Sequence, residues 1–140
     1  MTGVQTCALP IFDLFHGYTY SGHPLACAAG LATLDTYLEE GLLTRALELE
    51  DYWADGLHGL RSSNPDIVDI RNYGLVGAIE LAPREGAPGA RGYQVLEQAF
   101  RTGLLVRTTG DTIALSPPLI AERRHIDDMF SMLGQVLATV

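Results

Sequence analysis

The chain has 140 residues, 47% of them hydrophobic and 19% charged, which is enough for one globular core and too little for two ordinary domains. Its nine basic residues are all arginine and face seventeen Asp and Glu, for a formal net charge of -8; such a surface repels phosphate backbones and anionic lipid, which argues against nucleic acid and membrane surfaces as partners. No apolar run approaches the roughly 18 residues of a membrane span, and two cysteines, Cys7 and Cys27, are too few for a disulfide framework, so a reducing cytoplasm is the expected compartment.

Residues 1–11 stand apart from the rest of the chain: they carry no charge and fit neither a helical nor a strand period. The run Gln5-Thr6-Cys7-Ala8-Leu9-Pro10-Ile11 resembles the in-frame translation of a sequencing-library adapter. It is set aside as a non-native leader, which leaves Cys7 without functional meaning. An ordinary amino-terminal tail is the alternative.

From Phe12 onward the elements can be read in order. A loop, 12–23, holds Gly17, Thr19, Ser21 and Gly22, and Pro24 suits the first position of a helix, where its missing N–H costs nothing. The Ala- and Leu-rich stretch 25–40 predicts that helix, Gly41 a stop or bend, and Leu42, Ala46, Leu49, Trp53, Leu57 and Leu60 mark a second, amphipathic one. Asn64-Pro65-Asp66 breaks the pattern. Strands are expected at 67–71 and 75–81, a loop at 83–92, a short helix at 93–101 capped by Gly103, strands at 104–107 and 112–115, and a closing helix at 122–138. The order is that of an α+β layer with a small, mostly antiparallel sheet and helices on one face. Such a sheet leaves the long leading helices, 24–61, without an evident partner, and 62–140 forms the domain proper.

Two places could carry chemistry. The loop from His16 to His23 sets glycines and hydroxyls ahead of a helix amino terminus, where free N–H groups can hold a phosphate or carboxylate; an ordinary capped turn is equally consistent with the local pattern. Arg107 is expected to end a strand and face the turn Thr108-Thr109-Gly110-Asp111, either recognising an acid through its two parallel donors or simply pairing with Asp111. His16, His23 and Cys27 lie close in sequence, but no fourth ligand stands at a familiar spacing, and no metal is expected.

Several segments together carry a resemblance. His16-Gly17-Tyr18-Thr19-Tyr20-Ser21-Gly22-His23-Pro24 resembles the cofactor loop of class III aminotransferases that use pyridoxal phosphate, in its omega-amino acid:pyruvate (beta-alanine–pyruvate) branch. Asp69-Ile70-Arg71-Asn72-Tyr73-Gly74-Leu75, Gly86-Ala87-Pro88-Gly89-Ala90-Arg91-Gly92, Val106-Arg107-Thr108-Thr109-Gly110-Asp111 and Ser116-Pro117-Pro118-Leu119-Ile120 are similar to that branch in the same order.

The resemblance implies the carboxy-terminal small domain of a fold type I transferase. It further implies that Tyr18, through its N–H, and Thr19, through its hydroxyl, reach a partner subunit's cofactor phosphate in a homodimer, and that Arg107 binds the carboxylate of the amino donor or keto acid. The family's chemistry needs a Schiff-base lysine, and this chain has no lysine. The expectation is therefore a fragment of a transaminase with no catalytic residue of its own and inactive alone. A non-catalytic phosphate-binding or dimerisation module from the same family is the alternative.

Overall fold

The structure is a computed structural model and describes residues 21–140. The chain divides between Asp35 and Thr36 into two units. Helix α1 (Pro24–Glu39) crosses that division and buries none of its residues. Its sequence, rich in Ala and Leu, favours the helix locally whatever it touches. Leu31, Leu34 and Leu38 are 65%, 58% and 79% exposed, so this helix offers the uncovered apolar surface expected of a helix without a partner.

The chain turns at Gly41, which adopts a left-handed φ of 62° and ends any continuity between the two leading helices. Helix α2 (Leu42–Gly59) then buries Leu42, Leu49, Trp53 and Leu57, spaced to fall on one face, and runs on as a 3-10 turn, Leu60–Ser63. Here the expectation of two partnerless leading helices needs correction. The second has partners, because its stripe packs against the closing helix and the sheet.

Among the described residues the sheet has four strands, β1 (Ile67–Tyr73), β2 (Val76–Leu81), β3 (Arg107–Thr109) and β4 (Thr112–Leu115), in the order β1-β2-β4-β3 with every neighbouring pair antiparallel. A bulge between Ile67 and Asp69 lets Ile67 and Ile70 both face inward. They meet Ile79, Leu81, Ile113 and Leu115 in one core with Trp53 and Leu57 of α2, Val95 and Ala99 of α3 (Ala90–Thr102), and Ile126, Phe130, Leu133 and Leu137 of α4 (Arg123–Leu137). This is the expected α+β layer, with the helices on one face of the sheet.

Two close approaches set the spacing of these layers. A Cβ at Gly77 would lie 2.6 Å from Leu57 Cδ2, so glycine near the start of β2 lets α2 settle onto the sheet. Asn64, the one polar residue buried among the described residues, is fully used: its amide donates to the carbonyls of Leu137 (2.7 Å) and Val140 (3.0 Å), and its Oδ1 accepts from Asp66 N–H (2.7 Å). The break in helical pattern at 64–66 is thus also the tie between the start of the sheet and the end of the chain.

Candidate functional site

The segment after α3 begins its strand later than the sequence pattern indicates. Gly103, at φ 93°, ends α3, and the Leu104 N–H turns back to the Ala99 carbonyl at 2.8 Å. This is a Schellman-type ending that commits the first residues of the expected strand to the helix. Strand pairing therefore starts at Arg107 instead of ending there. Arg107 stands opposite Ala114, Thr108 opposite Ile113, and Thr109 opposite Thr112, which leaves Gly110-Asp111 as a two-residue hairpin loop.

Asp111 does not pair with Arg107. Its Oδ2 accepts from Gly89 N–H at 2.6 Å and its Oδ1 from Gly92 N–H at 2.9 Å. These are free donors at the amino terminus of α3, where Gly89, at φ 85°, offers no capping side chain of its own. Asp111 thus caps a helix far from it in sequence. That cap carries α3 back to Ala90, ahead of the start expected from sequence. Burial pushes the Asp111 carboxyl up, but the N–H groups of Gly89, Gly92 and Arg91, together with the Arg91 guanidinium, outweigh it and hold it below its ordinary value. The Asp111 carbonyl accepts from Leu81 N–H at 3.0 Å. A Cβ at Gly92 would lie 2.1 Å from the Gly110 carbonyl oxygen, so only glycine lets the hairpin come this close to the helix.

Arg91 completes the anchorage. Its Nη1 meets Asp66 Oδ2 at 2.5 Å and its Nε donates to the Ala82 carbonyl at 2.9 Å, joining the start of α3 to the open end of the β1–β2 pair. Local sequence pattern gives neither Asp111 nor Gly92 these roles. The available signal is a glycine within the first turn of a helix, a residue that weakens a helix locally and needs a packing reason.

On the outer face of the sheet, the register aligns Arg71, Ala78, Ala114 and Arg107 in one transverse row. The two arginines are separated by three strand spacings, about 14 Å. Arg71 is neutralised: its Nη1 meets Asp69 Oδ2 at 2.6 Å and Glu80 Oε2 at 2.9 Å, and these bonds raise its guanidinium further above its ordinary value. The Arg107 side chain is exposed, and its guanidinium makes no hydrogen bond or ion pair with the described residues. It lies on a groove of about 640 Å³ whose other walls are Val76, Leu96, Leu105, Val106, Leu115 and neighbouring small residues. An unpaired guanidinium beside apolar walls suits a carboxylate with a short organic chain.

Tyr18, Thr19 and His16 lie outside the described residues. The described end of their loop is a turn with Gly22 at φ 76°. There, the His23 Nδ1 accepts from Ala26 N–H at 3.4 Å and the His23 carbonyl from Cys27 N–H at 3.0 Å. His23 therefore serves as the cap of α1. Taken alone, these residues do not fit a complete cofactor site, since His23 is committed to the helix and the chain has no lysine. Among the described residues, no group of three His, Cys, Asp or Glu could hold a metal ion, and no helix is long and apolar enough to cross a membrane.

Comparison with known proteins bears on this arrangement. The Aminotransferase class-III family matches residues 4–137, a span that takes in part of the leader set aside above. Over 128 residues, 91% of this chain and 29% of the relative, the sequence is 59% identical to an omega-aminotransferase of Caulobacter vibrioides. It is 43% identical to a beta-alanine--pyruvate aminotransferase of Pseudomonas aeruginosa over 89% of this chain and 28% of that protein. An amine transaminase from an uncultivated Pseudomonas species, solved in its pyridoxal-phosphate-bound form, superposes with a TM-score of 0.76 at 35% identity, over 89% of this chain and 30% of that one. The chain thus spans less than a third of the length of these relatives. With the motifs, the sheet and the family match in agreement, the chain belongs to the class III aminotransferases.

Proposed function

We propose that this chain supplies the substrate-carboxylate contact, and part of the cofactor-phosphate contact, of a transaminase. That enzyme would move an amino group from an omega-amino acid or amine to pyruvate or another keto acid. The observation that carries the reading is Arg107, an unpaired guanidinium on a mostly apolar groove whose neighbouring acid, Asp111, is held elsewhere. Tyr18 and Thr19 take the phosphate role by resemblance. The names of the relatives support the reaction class, and the pyridoxal-phosphate-bound neighbour supports the cofactor.

The chain does not carry out this reaction alone. Attaching the cofactor aldehyde covalently in the family's manner requires a lysine amine, and none is present. The site is completed by a lysine-bearing part, in a cytoplasmic homodimer. The same lack of lysine favours the second reading, a phosphate-binding or dimerisation module that has left catalysis to others.

The test is a hybrid in which residues 12–140 replace the matching segment of the Caulobacter omega-aminotransferase. Transfer to pyruvate is expected in the hybrid and not in the 140-residue chain. Replacing Arg107 by Ala in the hybrid should raise KM for pyruvate by about 10- to 100-fold, the range for losing a hydrogen-bonded charge contact. A folded hybrid that binds cofactor but transfers nothing would favour the module.

A further inference from the structure

We propose that Asp111 is the positioning residue for Arg107: by capping α3 it fixes the β3–β4 hairpin from which Arg107 reaches a substrate carboxylate, and it withholds itself as a competing acid. The inference rests on the carboxylate reading of Arg107 given above.

Strand β3 is three residues long and, among the described residues, lies at the edge of the sheet and pairs only with β4. Few ladder bonds hold it, and a strand so short is easily displaced. Its location is set instead at its two ends. On one side Val106 is buried in the core. On the other, Asp111 makes three anchoring bonds: two through its carboxylate to Gly89 and Gly92 at the start of α3, and one through its carbonyl to Leu81 at the end of β2. The hairpin touches α3 so closely that a Cβ at Gly92 would meet backbone atoms of both Gly110 and Asp111. A shift of this turn is a shift of β3, and Arg107 moves with it.

Charge adds a second effect. Arg71, the other arginine in the row, is taken up by Asp69 and Glu80. Asp111 sits on the same hairpin as Arg107 and carries a full negative charge. Left free, it would be the nearest acid in sequence to Arg107 and would compete with any substrate carboxylate for it. The α3 N–H groups engage Asp111 instead, so the guanidinium stays unpaired. Asparagine at 111 cannot reproduce the arrangement, because its NH2 group would face one of the two N–H donors.

The test uses the hybrid aminotransferase described above, assayed with pyruvate and, separately, with an amine donor and an aldehyde acceptor that both lack a carboxylate. Asp111→Asn is expected to raise KM for pyruvate about tenfold, the equivalent of one charge-assisted hydrogen bond, with kcat and the carboxylate-free reaction unchanged within about twofold. Asp111→Glu, which keeps both oxygens, recovers part of the loss. In the double variant with Arg107→Ala, the loss of Asp111 adds nothing further. Equal losses on both substrate pairs, no loss, or additive losses would overturn the inference.

If Arg107→Ala itself fails to discriminate between the two pairs, the carboxylate reading falls, and that result is distinct from a selective Arg107 with an indifferent Asp111. A second measurement needs no activity. In the 140-residue chain, Asp111→Asn should change the amide resonances and speed the hydrogen exchange of Thr109 and Ala114. Unchanged signals at both positions would overturn the positioning role.

Discussion

The ring of Phe130 lies directly over Gly56, so that a Cβ on that glycine would sit 2.5 Å from Phe130 Cε2. The same ring stands 5.0 Å from that of Trp53, tilted by 45°. Glycine inside α2 thus lets α4 come close enough to wedge an aromatic between the helices. In an exposed helix, Gly→Ala would add about 1 kcal/mol of stability. Here the ring is buried and has nowhere to go, and overpacking costs about 1–3 kcal/mol. Gly56→Ala is therefore expected to lower the urea midpoint, and pairing it with Phe130→Leu to cost less than the sum of the two single changes.

Gly92→Ala should be more damaging than Gly56→Ala. The atoms it meets are backbone, the Gly110 carbonyl oxygen at 2.1 Å and Asp111 Cα at 3.0 Å, and no rotamer change relieves them. A loss near the upper end of overpacking costs, about 3 kcal/mol, is expected in chemical denaturation. Serine or alanine at Gly59, where nothing lies within 4 Å, serves as the control and should be nearly neutral.

Acid should loosen the same contact. The Asp111 carboxyl is held below its ordinary value of 3.8 in the folded chain. As pH falls, the unfolded chain takes up this proton first, so the stability that Asp111 contributes is fully present above the ordinary value and is lost as pH drops through the depressed one. Thermal midpoints of the wild-type chain and Asp111→Asn are expected to differ at neutral pH and to converge in strong acid. Midpoints that run parallel throughout would mean that the charge of the Asp111 carboxylate adds nothing.

Helix α1 should be the least protected described helix. It buries no residue, whereas α2, α3 and α4 each contribute several to the core. Amides of Thr33 to Leu38 are expected to exchange orders of magnitude faster than those of Ile79 and Ile113, which are 0% exposed. Replacing Leu31, Leu34 and Leu38 by glutamine should reduce self-association in sedimentation without lowering the unfolding temperature. A monodisperse chain with α1 fully protected would contradict this.

The lysine-free composition gives a covalent test. Incubating the 140-residue chain with pyridoxal phosphate and then borohydride should leave no modified lysine in peptide mapping, since there is none to modify. The hybrid with the Caulobacter segment should carry one adduct, on a lysine from that segment. Labelling of the hybrid elsewhere would show that the two parts do not assemble a site.

Much of the fold is legible in the sequence because the signals are local. The stripe Leu42, Leu49, Trp53 and Leu57 repeats at helical spacing and is the buried face of α2. Gly103 marks the end of α3, and the alternation in 76–81 places Ile79 and Leu81 inside. The start of β3 falls elsewhere than the pattern indicates because Leu104, apolar and next to a strand pattern, donates its N–H to Ala99 of the helix behind it. The partner of α2 escapes a sequence reading for a related reason: periodicity shows that a helix has an apolar face, not what covers it.

The candidate site divides along the same line. Arg107 stands out by its residue type and its place beside a glycine turn, and the family by several motifs in order. Composition alone settles that no lysine is available. Only the tertiary structure decided that Asp111 belongs to Gly89 and Gly92, not to Arg107, and that Arg71 is already paired. The physical reason is distance along the chain. A cap supplied from 22 residues away leaves no period and no local propensity to detect. It exists only once β4 has paired with β2 and brought the hairpin to the start of α3.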